Sequence, residues 1–212
     1  MREAKKTIIL GVTGSIAAYK SCEIITALAK DSVDVHVLLT KEAGQFITPL
    51  TLQTLSHNKV ITDMFELPTE WNPVHTALAD KAELVLIAPA SANIIGKLAN
   101  GICDDILSCV IFATKAPVLI APAMNEKMYK HKVVQENITK LKKIGYNFIG
   151  PIKGSLACGC VDIGHLAEIK DIVNEAKRLL SAFANNEQTD RSLRRATRRR
   201  LSTRMPKYTK AG

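Results

Sequence analysis

The sequence has few aromatic residues, 5% with a single Trp, and no apolar run long enough to cross a bilayer. Its longest runs, such as Leu84 to Ala90, are broken by Pro, Ser or Asn, far short of the roughly 20 residues a membrane helix needs. It also lacks an internal repeat or low-complexity segment in its first 182 residues, which sets aside solenoid and fibrous architectures. Five cysteines, an odd number, do not form a disulfide framework in a chain without an export signal, so reduced thiols are expected. The apolar stretch Ile8 to Val12 is shorter than the core of a secretion signal, about 7 to 15 residues, and runs into a glycine turn, which predicts a cytoplasmic protein with no membrane partner.

What is present is 212 residues, 47% apolar and 23% charged, enough for one compact domain with a substantial core. The net charge of +9 is uneven: residues 183–212 hold nine Lys or Arg against two Asp or Glu. Apolar-poor and Arg-clustered, that segment is predicted to be a disordered basic tail on a domain spanning 1–182. No interleaved aromatic or recognition helix accompanies it, so a solvated extension is favoured over a nucleic-acid arm.

Within 1–182, short β-rich runs alternate with helical patterns. Thr7 to Thr13 reads as a buried strand ending in glycine, Ala18, Cys22, Ile25 and Ala29 recur at helical spacing, and Val33 to Leu39 reads as a second strand. Further strands are expected at 84–88, 117–121 and 146–149, with helices near 43–56, 73–80, 94–113, 130–143 and 167–182. This order implies an α/β fold with a mainly parallel sheet wrapped on both faces and a ligand at the carboxyl ends of the strands.

The notable polar residues fall at those ends. Gly14 and Ser15 after the first strand can hold a phosphate or simply cap a helix. The spacing is not the dinucleotide fingerprint, since Thr40 stands where an acidic residue would close the second strand. His75 opens a helix after Pro73, as a proton-transfer group or a capping histidine. Ser91, Asn93 and Asn125 offer a hydroxyl and two amides, or helix caps. Cys158, in a glycine-punctuated segment from Gly154 to Gly164, reads as an exposed loop thiol suited to acid or nucleophile chemistry. Cys22, Cys103 and Cys109 sit in helical patterns and read as incidental. Cys158-Gly-Cys160 has only His165 nearby as a further ligand, so no metal is expected.

Taken together, Gly14-Ser-Ile-Ala-Ala-Tyr-Lys20, Phe46-Ile-Thr-Pro-Leu-Thr-Leu-Gln53, the His75 segment, Pro89-Ala-Ser-Ala-Asn93, Gly101-Ile-Cys-Asp-Asp-Ile-Leu107, Pro122-Ala-Met-Asn-Glu-Lys-Met128 and Ala157-Cys-Gly159 resemble the flavin-containing cysteine decarboxylases over about residues 6–182. The resemblance implies a Rossmann-like or flavodoxin-like three-layer α/β sandwich that binds FMN. Gly14, Ser15, Ile16 and Thr40 would lie near its phosphate, and Ser91, Ala92, Asn93 and Ala123 along the rest of the flavin. The implied reaction is decarboxylation of 4'-phosphopantothenoylcysteine to 4'-phosphopantetheine in coenzyme A biosynthesis. It runs by oxidation to a thioaldehyde-like species, loss of carbon dioxide and re-reduction of the enethiol. His75 would serve the oxidation step, Asn125 would hold the substrate carboxylate with Met124 and Met128 beside it, and Cys158 would donate the final proton. The family assembles as trimers or dodecamers with sites between subunits, and a separate phosphopantothenate–cysteine ligase would be the pathway neighbour. Two departures stand out: Cys160 replaces a commonly acidic residue, and His165-Leu166 replaces an Arg-Met pair. A peptidyl-cysteine substrate, a flavin prenyltransferase and a non-catalytic FMN-binding phosphatase subunit are the alternatives.

Overall fold

The computed structural model describes residues 5–65, 73–155 and 161–202. Five strands, β1 (Thr7–Val12), β2 (Asp34–Leu39), β3 (Leu84–Ala90), β4 (Val118–Pro122) and β5 (Asn147–Phe148), form one sheet in the order β2-β1-β3-β4-β5. All pairings are parallel. β1, β3 and β4 are buried throughout, which is why their sequences are continuous apolar runs rather than alternating ones.

Successive strand residues enter two separate cores. On one face Ile8, Leu10, Val35, Val37 and Leu86 meet Ile24, Ile25 and Leu28 of α1 (Ser21–Lys30), Leu52 of α2 (Pro49–Ser56) and Ile172, Ala176 and Leu180 of a long C-terminal helix. On the other, Ile9, Val85, Ile87 and Ile120 meet Leu78 of α3 (Val74–Lys81), Ile95 and Leu98 of α4 (Ala92–Asn100), Val110 and Ile111 of α5 (Ile106–Ala113) and Leu141 of a helix ahead of β5. The sandwich therefore has three layers, and the strand order is that of the doubly wound flavodoxin-like sheets, whose ligand crevice opens where the chain reverses its direction of travel across the sheet.

Five features differ from the sequence expectation. The helix expected over 43–56 is a short 3₁₀ turn, Ala43–Gln45, followed by α2, which Thr48 caps and Pro49 opens. The helix expected over 94–113 is two, α4 and α5, because Gly101 ends the first in a left-handed conformation (φ 71°) and Asp105 and Ser108 start the second with reciprocal capping bonds. Cys103 accordingly lies between helices rather than in one. A short helix α6 (Glu126–Lys130) precedes α7 (Lys132–Lys143). The segment expected to be a loop contains the antiparallel strands β6 (Ile152–Ser155) and β7 (Val161–His165), with Gly154 and Gly164 making room for close approach. Finally, α8 runs over Ile169–Ser202, well past the expected end at 182. No Pro or Gly interrupts residues 169–202, and Arg, Leu, Ala and Gln are good helix formers, so the local propensity that a composition argument overlooks favours continuation.

Candidate functional site

The crevice is built at the carboxyl ends of β1, β3 and β4. Thr13, buried just past β1, donates its hydroxyl to the Pro89 carbonyl (2.8 Å) and accepts from the Ser91 amide (2.8 Å). Ser21, also buried, donates to the Ala88 carbonyl (2.9 Å). These bonds clamp the loop after β1 to the loop after β3, and the Ala123 amide extends the clamp to β4 by donating to the Ala90 carbonyl (3.0 Å). A cavity of about 440 Å³ opens there, lined from the β1 side by Gly14 to Ala17, Tyr19 and Lys20, from β3 by Ser91 and Ala92, and from β4 by Ala123 to Asn125 and Met128. Gly164, His165 and Leu166 close the fourth side. Its size is typical of small-molecule sites, about 300 to 1,000 Å³.

The polar groups are already partly engaged, and this sets what each can still do. The Ser15 hydroxyl accepts from the Ala17 amide (3.3 Å), capping the short 3₁₀ helix Ile16–Lys20, so its proton is left to donate into the cavity. Gly14 has no room for a side chain, since a Cβ there would sit 2.6 Å from that of Glu42. Ser91 caps α4 by accepting from Ile94, with its hydroxyl proton likewise free to turn inward. Asn125 caps α6 through its Oδ1, which accepts from the Lys127 amide (2.9 Å). The cap fixes which end of the amide is occupied, and the Nδ2 donor is the end that remains. Capping and ligand binding, alternatives in the sequence, are compatible at all three positions.

The fourth side comes from β7. The Met124 amide donates to the Gly164 carbonyl (3.0 Å), and Lys130 of α6 pairs with Asp162 at 2.5 Å. That ammonium, with the Ile163 amide, holds the Asp162 carboxyl at about 2. His165 makes a 2.9 Å contact from Nδ1 to the Leu166 carbonyl and a 3.3 Å contact from Nε2 to the Lys20 ammonium.

Nine expected residues therefore share one cavity: Gly14, Ser15, Ile16, Ser91, Ala92, Ala123, Met124, Asn125 and Met128. Thr40, Asn93 and His75 do not line it. Thr40 accepts from the Ala43 amide through Oγ1 (3.3 Å) and pins the end of β2 to β1 by donating its own amide to Val12 (3.0 Å). Asn93 is exposed on the first turn of α4, and His75 is half-buried on the first turn of α3. Cys158 and Cys160 lie outside the described residues. Burial raises the Cys22 thiol, and burial followed by Cys103, Asp105 and Asp104 raises Cys109, so neither is a ready nucleophile. Sequence reasoning names neither Thr13 nor Tyr19, Lys20 and Gly164 as site residues. Lys20 closes the first motif of the family resemblance, and Gly164 stands in the glycine pattern, but their roles depend on partners more than 30 residues away.

The chain matches the family model described as Flavoprotein over residues 1–181. It is 47% identical over 176 residues to the coenzyme A biosynthesis bifunctional protein CoaBC of Bacillus subtilis, covering 82% of this chain and 43% of that protein. It thus spans less than half the length of that relative. The probable phosphopantothenoylcysteine decarboxylase of Streptococcus mutans is 45% identical over 177 residues, 82% of this chain and 99% of that one. Among solved structures, a Cys-to-Ser mutant of PPC decarboxylase complexed with pantothenoylaminoethenethiol superposes with a TM-score of 0.74 at 30% identity, covering 84% of this chain and all (100%) of that one.

Proposed function

The chain belongs to the flavoprotein family, and from that premise we propose that it is an FMN-dependent decarboxylase of 4'-phosphopantothenoylcysteine, yielding 4'-phosphopantetheine for coenzyme A biosynthesis. The cavity suits the cofactor: Ile16, Ala92, Ala123 and Leu166, one from each side, offer apolar surface to a ring system, and the Ser15 hydroxyl with the first amides of its turn can accept a phosphate. When bound, the flavin supplies the two-electron acceptance and return that make loss of carbon dioxide from a cysteine carboxylate feasible.

The observation that carries the reading is Asn125. Its oxygen is fixed on the Lys127 amide, so the cavity receives an NH₂ donor matched to a carboxylate and no competing acceptor. Met124 and Met128 flank it with adaptable apolar surface. Cys158 is assigned the proton donor by family resemblance, and β6 and β7, which flank it in sequence, run beside the cavity wall.

His75 belongs to a second copy of the chain in this reading. Within one chain it does not line the cavity, while three lining residues, Ile16, Tyr19 and Met128, are 59%, 54% and 49% exposed at its mouth. Apolar side chains so placed are suited to burial by a neighbouring subunit that delivers its His75 to the site, in a homo-oligomer.

The test is anaerobic incubation of purified protein with 4'-phosphopantothenoylcysteine, with products followed by mass spectrometry and the flavin spectrum recorded on the same sample. Formation of 4'-phosphopantetheine by a flavin-bound protein is the expected result. Bound FMN without product would reject this substrate and direct the assay to C-terminal cysteine peptides, and a colourless protein would reject the cofactor.

A further inference from the structure

The Lys20 ammonium lines the cavity, and the contact it makes among the described residues is with a neutral ring rather than a carboxylate. The two contacts of His165 are satisfied together by one tautomer of that ring. The Leu166 carbonyl can only accept, so Nδ1 carries the proton; the Lys20 ammonium can only donate, so Nε2 presents its lone pair. An imidazolium would set an N–H against an ammonium and lose the contact. The ring is located as tightly as its proton: a Cβ on Gly154 of β6 would come 3.0 Å from its Cγ, so this glycine makes the space in which the imidazole lies. Lys20 ends the 3₁₀ turn and His165 ends β7, so the contact ties two elements 145 residues apart across the cavity wall. The result is a half-buried positive charge, oriented by a neutral acceptor and not neutralised by it.

We propose that Lys20, held in place by His165, is the group that recognises the phosphate end of the substrate, with Lys20 the binding residue and His165 a positioning residue acting through it. This deepens the decarboxylase reading and rests on it for the identity of the phosphomonoester. Ser15 and the first amides of its turn already offer a place for the flavin phosphate at the start of the turn, and Asn125 offers one for the carboxylate on the β4 side. Lys20 stands apart from both, at the other end of the turn and against β7. A hydrogen bond from a charged donor to a phosphate oxygen discriminates by about tenfold to a hundredfold against a ligand that lacks the phosphate.

The experiment compares 4'-phosphopantothenoylcysteine with its dephosphorylated form on the FMN-loaded protein and on the variants Lys20→Met, Lys20→Arg, His165→Ala and His165→Gln. The ratio of the two KM values within each protein is independent of how much of it is folded. We expect wild type to favour the phosphorylated substrate about tenfold to a hundredfold, Lys20→Met to abolish the preference, and Lys20→Arg to retain most of it. His165→Ala should weaken the preference and His165→Gln, which restores an acceptor, should recover it. A preference that survives Lys20→Met overturns the proposal, as does loss of flavin in that variant, which would assign Lys20 to the cofactor. A preference equal in His165→Ala and wild type overturns the positioning role. Calorimetry with 4'-phosphopantetheine and pantetheine separates the two readings: a phosphate preference lost in Lys20→Met, without turnover by wild type, supports the anion site and rejects the decarboxylase. No phosphate preference in a protein that does turn over rejects the anion site alone.

Discussion

At Asn125 one side chain caps a helix and lines the cavity, so in the proposed reading it serves fold and ligand at once, and the two services can be separated by a single atom. Asn125→Asp keeps the oxygen that accepts from Lys127 and replaces the inward donor by a second oxygen. The variant should melt within a few degrees of wild type and retain flavin, yet lose turnover by at least about a hundredfold, since a carboxylate now faces a carboxylate. Equal turnover would remove Asn125 from the substrate site. Asp34 at the start of β2 is the opposite case, a charge whose service is to the fold alone. Burial opposes its ionisation, but Asn58 (2.8 Å), Lys81 (3.1 Å) and His36 (3.0 Å) outweigh it and hold the carboxyl at about 2. Its folded value lies below the unfolded one of about 3.9, so its contribution is complete above that pH and disappears as pH falls toward 2. The cluster is water-screened, so Asp34→Asn should cost about 0.5 to 1 kcal/mol at neutral pH, and urea melts of the two proteins should converge only as the pH approaches about 2. Residues such as Asn125 and Ser91 were legible in the sequence because polar groups just past apolar strands have few other reasons to be there. Thr13 and Lys20 were not, because their meaning lies in partners 76 to 145 residues distant, and His165 stood out only as a departure from the family's Arg, with its contact to Lys20 unread.

Among the elements, β1, β3 and β4 were readable from their uninterrupted apolar runs, β2 from its alternation, and most helices, though not their breaks, from their periodicity. The hairpin strands β6 and β7 were not, since a four-residue and a five-residue strand with glycines carry too short an alternation to distinguish from a loop. Those glycines are what seat the hairpin. Gly164 has φ 140°, and a Cβ there would overlap the Met124 carbonyl oxygen, the residue whose amide donates to Gly164 in return. Gly164→Ala is therefore strained twice, by backbone conformation and by contact, at a cost of about 1 to 3 kcal/mol. Because β7 carries His165 and its neighbour Asp162 pairs with Lys130, the damage should appear in KM as well as in a lowered melting temperature. A variant with unaltered KM would show that the hairpin does not shape the site. The long α8 has the reverse character: its packed residues end near Leu180, and Asn185, Asn186 and Thr189 are exposed. Stopping the chain after residue 186 should change the melting temperature by no more than about 2 °C, since surface changes outside the core stay near ±0.5 kcal/mol. A larger loss would mean that the basic part of the helix is packed against something.

For the molecule as a whole, the decisive feature is that, among the described residues, the expected catalytic residues Asn125 and His75 do not line the same cavity. Asn125 lines the cavity and His75 does not, although both stand at starts of helices that follow or flank the same sheet. Either His75 has no part in the reaction or the site is completed by a second copy, and the exposed Ile16, Tyr19 and Met128 at the cavity mouth favour the latter. Mixing variants tests this directly. His75→Asn and Asn125→Asp oligomers should each be inactive, because every site in them lacks one group. Subunits co-expressed in equal amounts and assembled at random should regain about a quarter of wild-type activity, the share of interfaces that unite an intact His75 from one copy with an intact Asn125 from the next. If both groups acted within one chain, no mixture could contain a complete site, and activity would stay at zero at every ratio. If His75 were merely a surface histidine, its variant would be active before any mixing. The three outcomes are distinct, and the first would explain why the cavity that Asn125 lines has Ile16, Tyr19 and Met128 exposed at its mouth.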